Sequence, residues 1–177
     1  MPTRNKDRVY VALYARGGNE PNTYHWAIIV GPKKEGDGKL GYRYHVKHVL
    51  VPAALGQVKW EYQAIEIPLF QTAMLLGRIM VAKVTDGAQL HRSLAAVPII
   101  QNNPEWTCRT WVKDAVASLE ADGKSLGTRV TNWEEIEKTA NEYIGTKRQQ
   151  RRYDGSGPWK FRTVPTFDLI QKKETIP

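Results

Sequence analysis

The chain has 177 residues, 41% of them hydrophobic, six tryptophans and a formal net charge of +8, which suffices for one domain with a real core over 1–177 and argues against a disordered polymer. No stretch approaches the roughly 18 to 20 uncharged apolar residues that a spanning helix needs, and the opening "MPTRNKDR" has no apolar signal-peptide core, so a soluble, cytoplasmic protein is expected. One cysteine excludes an intramolecular disulfide.

"RVYVALYAR", Arg8 to Arg16, is rich in β-branched and aromatic residues and ends at Gly17 and Gly18, which predicts a strand and a turn. "TYHWAIIVGP" is the next strand, stopped by Gly31, Pro32 and the charged glycine loop "KKEGDGK". In "YRYHVKHVLV", Tyr42, Tyr44 and Val46 alternate with Arg43, His45 and Lys47, the period of a strand with two unlike faces, and the two strands make a hairpin. "QVKWEYQAIEI" adds a strand with Val58, Trp60, Tyr62 and Ala64 on one side. "MLLGRIMVAKV" fits either a buried strand or a helix running into one.

The chain then changes character. Leu90, Leu94 and Val97 have helical spacing before Pro98 intervenes. From Cys108, the residues Trp111, Val112, Ala115, Val116 and Leu119 recur at intervals of three and four, an amphipathic helix that ends at Asp122 and Gly123. Either Asn103 with Pro104, or Thr107, can start it. A last helix runs from about Thr131 to Lys147, because Thr131 and Glu134 have capping-box spacing. The basic segment 146–153, "TKRQQRRY", reads as a solvated helix end that complements the helix dipole, and 171–177 as a mobile tail. The expected fold is α+β: an antiparallel sheet of four to six strands packed on the helix that carries the cysteine.

Cys108 shares the apolar face of its helix, so plain burial is one reading. At a helix N-terminus the partial positive charge and free N–H groups favour a thiolate and offer an oxyanion donor, which makes nucleophilic catalysis the other. A thiol nucleophile needs an imidazole, and that imidazole a partner. His25 shares a strand face with Ala27 and Ile29, and the small Ala27 leaves room for substrate or for the cysteine helix. His45 lies in the following strand, between Arg43 and Lys47 on its own face. His48 has the opposite parity and reads as packing or surface; His91 reads as solvated. Trp26, Trp111 and Arg43 border the three groups and are expected to bind substrate.

The segments "HWAIIVG" with His25, "YHV" with His45 and "TCRTWV" with Cys108, in this order, resemble the lecithin retinol acyltransferase-like group, in the circularly permuted, papain-like NlpC/P60 branch of thiol enzymes. The resemblance covers about the first two-thirds of the chain. It implies a general base at His25, a group orienting that base at His45, and a nucleophile at Cys108 that forms a thioester. Around the nucleophile the group has Asn-Cys-Glu-His-Phe, where this chain has Thr107-Cys108-Arg109-Thr110-Trp111. The activity implied is that of a cysteine-dependent hydrolase or acyltransferase working on an amide, ester or thioester of a small molecule or peptide. The alternative is a non-catalytic binding module of the same fold whose basic surface holds an acidic or, less favoured, a nucleic-acid partner. The histidines, cysteine and carboxylates lack the close spacing of a metal site, and no glycine-rich phosphate loop stands between a strand and a helix, so neither metal nor cofactor is expected.

Overall fold

The β-branched and aromatic run after Asp7 forms β1 (Arg8–Ala15), followed by β2 (Tyr24–Gly31), β3 (Leu40–Leu50) and β4 (Val58–Pro68), each antiparallel to the strand before it. A computed structural model of the protein describes residues 6–17, 23–34, 38–70, 72, 74–159 and 163–177. The expectations for Gly18 and the rest of the first turn, for the opening residues, for 35–37 of the charged glycine loop and for 160–162 lie outside these. The ambiguous run becomes β5 (Leu75–Val84), which pairs with β1 across the sheet. Nearly every β5 residue is buried, because the strand is central and covered on both faces, and that continuous apolar character is why its periodicity did not identify it.

Next come α1 (Gly87–Ala95), α2 (Cys108–Ala121), β6 (Leu126–Arg129), α3 (Trp133–Gln149), β7 (Thr166–Asp168) and β8 (Lys173–Ile176). The fold is α+β, with three helices and a mixed sheet among the described residues. The sheet runs β4-β3-β2-β1-β5-β7-β8, with β6 also on β5. Its eight strands exceed the four to six expected, and β7 lies parallel to β5, so it is not wholly antiparallel. The excess comes from β6, β7 and β8, which are three or four residues long and too short for an alternating pattern to register.

All three helices contribute to one core cluster, with Val9, Val11, Leu13, Trp26, Ile28, Tyr44, Val46 and Ile79 from the sheet. Tyr10, Ala12, Tyr14, Ala27 and Ile29 have the alternate parity and form a second cluster on the opposite face. Gly77 sets how closely α3 approaches β5: a Cβ there would lie 2.7 Å from Ile144 Cδ1 and 3.2 Å from the Pro165 carbonyl. The N-cap of α3 is Asn132, whose side chain accepts from the Glu135 N–H at 2.8 Å. Thr131, expected in that role, instead donates its hydroxyl to Glu120 at 2.8 Å.

The C-terminal expectations need correcting. Residues 173–176 are a sheet strand, and two cations of the basic segment hold the chain end in place. Lys147 is only 2% exposed and pairs with Glu174 of β8 at 2.5 Å, while Tyr143 donates its hydroxyl to the same carboxylate at 2.6 Å. Arg152, also buried, donates to the carbonyls of Thr163 at 2.9 Å and Pro177 at 3.4 Å. Lys147 lies within 5.5 Å of the Tyr143 ring centroid and 5.2 Å of the Trp159 ring centroid, a site a charged ammonium tolerates only with a counter-ion. Glu174→Ala is therefore expected to destabilise the fold by about 3 kcal/mol in urea denaturation, because it strands a buried charge. A cost below about 0.5 kcal/mol would mean that the pair acts as an ordinary surface ion pair.

Candidate functional site

Hairpin register builds the first half of the site. His45 of β3 and Gln63 of β4 are direct cross-strand partners, and His45 Nε2 lies 3.0 Å from Gln63 Oε1. On the other side, His45 Nδ1 lies 2.7 Å from His25 Nε2, with the rings edge to face at 4.9 Å. An amide oxygen only accepts, so with Oε1 facing the ring the proton of neutral His45 sits on Nε2 and its Nδ1 accepts from His25 Nε2–H. Neutral His25 then has Nδ1 unprotonated. One side-chain amide fixes the tautomer of two imidazoles and leaves His25 Nδ1 unprotonated.

Both rings are held neutral around pH 7. Burial first, then the nearby His45, Arg16 and Arg43, brings His25 down to about 3. Burial brings His45 down to about 4, against the opposing effect of its bond to Gln63, with Arg43 and Lys47 lowering it further. Tyr14, opposite His25 in the register and 6.1 Å from it between ring centroids, is itself raised by burial.

The second half is α2. Thr107 is its N-cap, with extended backbone, and Cys108 its first residue, which decides the start in favour of Thr107 over Asn103. The capping segment is tied by the Thr107 N–H, which donates to Thr110 Oγ1 at 3.2 Å. The sulfur thus occupies the first turn, where backbone N–H groups lack intrahelical acceptors. Two donors converge on it: the Trp26 backbone N–H at 3.4 Å and Arg16 Nη2 at 3.2 Å. The β2–β3 ladder ends at Ile28 with Tyr44, so the strands have parted by Trp26 and the helix end reaches into that opening. The thiol residue is 1% exposed.

Ala27 does not make room for α2, as its parity suggested. It lies in the second cluster, on the face away from the helices, and α2 comes to β2 and β3 from the other side. His25 and the sulfur are linked instead at the parted strands, through Trp26, the next residue in the chain. Trp26 and Trp111, expected to bind substrate, are 3% and 0% exposed. Trp26 packs on Trp133 at 5.6 Å and Trp111 on Tyr62 at 5.8 Å. Both are core residues with no surface left for a ligand. Arg43 lies 5.5 Å from the Tyr14 ring centroid and acts on the histidines through its charge; the cation at the sulfur is Arg16.

Arg16 also lines a cleft of about 470 Å³ with Gly17, His48, Trp60, Asn103, Pro104, Trp106 and Thr107. His48 lies tilted against Trp60 with centroids 3.7 Å apart, and Trp60 meets Trp106 edge to face. Gln101 clamps Trp60 by its backbone, accepting from its N–H at 2.9 Å and donating to its carbonyl at 2.8 Å. His91 lies exposed on α1 with its ring against Tyr44. Among the described residues no three His, Cys, Asp or Glu converge to hold a metal ion, and no helix is long and apolar enough to cross a membrane.

Sequence reasoning missed Arg16 and Gln63. Gln63 has the parity of His45 once the hairpin register is known, and Arg16 follows Ala15, which pairs with Tyr24 beside His25; each needed the pairing first. Comparison with curated proteins and with solved structures gave no significant match. The profile of the family described as a family of unknown function (DUF6914) matches residues 6–176, and the chain belongs to that family.

Proposed function

We propose that the protein is a thiol enzyme that forms an acyl-enzyme at Cys108 in a permuted, papain-like, NlpC/P60-like arrangement, acting on an amide, ester or thioester. The observation that carries the reading is the bonded row Gln63–His45–His25, which ends one residue from the backbone N–H that holds the sulfur. The row leaves a ring nitrogen of His25 unprotonated one residue before Trp26, whose backbone N–H meets the sulfur, and a free imidazole nitrogen is what a general base requires. The ordered His25, His45 and Cys108 motifs resemble those of the lecithin retinol acyltransferase-like group, which supports the same reading.

In this mechanism Sγ attacks the acyl carbon while its proton passes to His25 Nδ1. The carbonyl electron pair moves onto oxygen, where N–H groups of the first turn of α2 and of Trp26 can meet the charge. Collapse expels the amine, alcohol or thiol, which takes the proton from His25 and leaves a thioester. His25 then removes a proton from water or from an acceptor, which cleaves the thioester and regenerates the thiol. His45 and Gln63 keep the ring oriented and share the positive charge that forms on it. Arg16 attracts negative charge on sulfur and must swing away from Sγ for an acyl group to enter from the aromatic cleft.

The rival reading is a binding module that keeps the fold without turnover, and the burial of Cys108 beneath Arg16 is the observation in its favour. Iodoacetamide separates the two. Native protein should be alkylated at Cys108 at least about tenfold faster than the His25→Ala variant, since only the former has a base for the thiol. Slow, equal alkylation of both native proteins, with fast reaction after unfolding, would overturn the thiol enzyme and favour the binding module.

A further inference from the structure

On the sheet face away from the helices, β1, β5, β7 and β8 enclose a second cavity, of about 360 Å³, remote from the thiol. Its wall carries Arg8, Lys33, Lys83 and Lys173 against one carboxylate, Asp168. Arg8 and Lys83 are direct cross-strand partners. Like charges opposite each other in a sheet are destabilising and call for a counter-ion. Among the described residues no carboxylate lies within ion-pair distance of any of the four cations.

The one acid, Asp168, is the cross-strand partner of Lys173 but lies beyond ion-pair distance of it, and its Oδ1 accepts from the Gln171 N–H at 2.9 Å and closes the turn into β8, so one carboxylate faces four cations. Nor is Arg8 a solvated surface cation: it is 8% exposed, and its Nη1 is pinned to the carbonyls of Lys6 and Asp7, so the guanidinium is fixed beside the cavity. Buried Arg78 lies 4.1 Å from the Tyr10 ring centroid and holds that ring in place. Thr166 and Thr175 supply hydroxyls, and Tyr10, Met80 and Ile170 an apolar side.

We infer that this cavity binds a small phosphate-bearing ligand, a phosphate ester whose anionic end lies between Arg8, Lys83 and Lys173 and whose apolar end lies against Tyr10 and Met80. The volume falls in the range of small-molecule sites, and planar guanidinium groups with ammonium groups suit phosphate oxygens. This inference stands apart from the thiol chemistry and survives if that chemistry fails.

The test is calorimetric titration of the full chain with phenyl phosphate and with inorganic phosphate at about 0.15 M salt, where unstructured surface attraction is screened over about 8 Å. Wild-type protein should bind phenyl phosphate more tightly than inorganic phosphate, because only the ester uses the apolar side. The charge-reversed pair Lys83→Glu with Lys173→Glu should weaken binding by at least about tenfold. Lys113→Glu with Lys124→Glu, on exposed positions of α2 and of the turn after it, makes the same change in net charge and should alter affinity by less than about threefold. An equal loss in the two pairs, equal affinity for the two probes, or no heat with wild type at millimolar ligand each overturns the site.

Discussion

Replacing His45 by alanine is expected to lower turnover of an activated ester such as p-nitrophenyl acetate by about 10² to 10³, with the loss in kcat rather than KM, whereas Cys108→Ala should remove at least about 10⁴. The difference follows from what each group does. Without His45, the ring of His25 can rotate and present the wrong nitrogen, but water can bond Nε2 part of the time; nothing replaces the sulfur. His45→Asn should recover about tenfold over alanine, since an amide oxygen can still accept from His25 Nε2–H. Gln63→Leu should fall between wild type and His45→Ala, because it frees the tautomer of His45 while leaving the ring in place. His48→Ala should change kcat by less than about twofold, because His48 packs against Trp60 in the cleft and takes no part in the row. Abolished turnover in His48→Ala alongside normal turnover in His45→Ala would falsify the assignment.

Why His45 and not His48 was legible, while Gln63 and Arg16 were not, has a physical basis. Strand parity is local: alternation within "YRYHVKH" puts His45 and His48 on opposite faces whatever the strand pairs with. The apolar face of the Cys108 helix was legible for the same reason, since its period lies within one segment, whereas its start stood open between Asn103 and Thr107 because both are good caps. Pairing is non-local. The bond from Gln63 to His45 depends on the register of β3 with β4, and the contact of Arg16 with the sulfur on where a strand some ninety residues upstream ends relative to α2. Parity also misled where it was pressed too far. It placed Ala27 beside His25 correctly, but could not tell which face the helices cover, so the space it inferred for α2 lies on the wrong side. Trp26 and Trp111 were drawn into the site by adjacency, although spacing of three from Cys108 puts Trp111 on the stripe that the helix buries. In "TKRQQRRY" composition suggested a solvated end, yet Lys147 and Arg152 are buried by a partner carboxylate and carbonyls on a segment that arrives last in the chain.

Stability should fall by about 3 kcal/mol between pH 7.5 and pH 4.5, before most carboxylates titrate, and this loss belongs to the two histidines. In the unfolded chain both titrate at 6.5, and in the folded protein His25 is held at about 3 and His45 at about 4. Below 6.5 the unfolded chain takes up protons that the folded site refuses, so stability is full above that pH and declines as pH falls towards 4 and then 3. Full burial of both rings would give about 5 kcal/mol at pH 4.5, and partial access of solvent to the pair reduces it to about 3. Carboxylates add their own loss lower down: burial would raise Asp122, but the bonds from Ser125 and Ser93 together outweigh it and hold the group at about 2 against a usual 3.8, so its contribution disappears between those values and not in the window above 4.5. Urea denaturation at closely spaced pH values, on wild type and on a His25→Gln, His45→Gln double variant, isolates the imidazoles. The double variant lacks both titrating rings and should be nearly flat from pH 7.5 to 4.5. A wild-type curve equally flat over that range would mean that the folded rings protonate as readily as free ones. They would then stand as cations at mildly acidic pH, and His25 would have no unprotonated nitrogen to offer the thiol there.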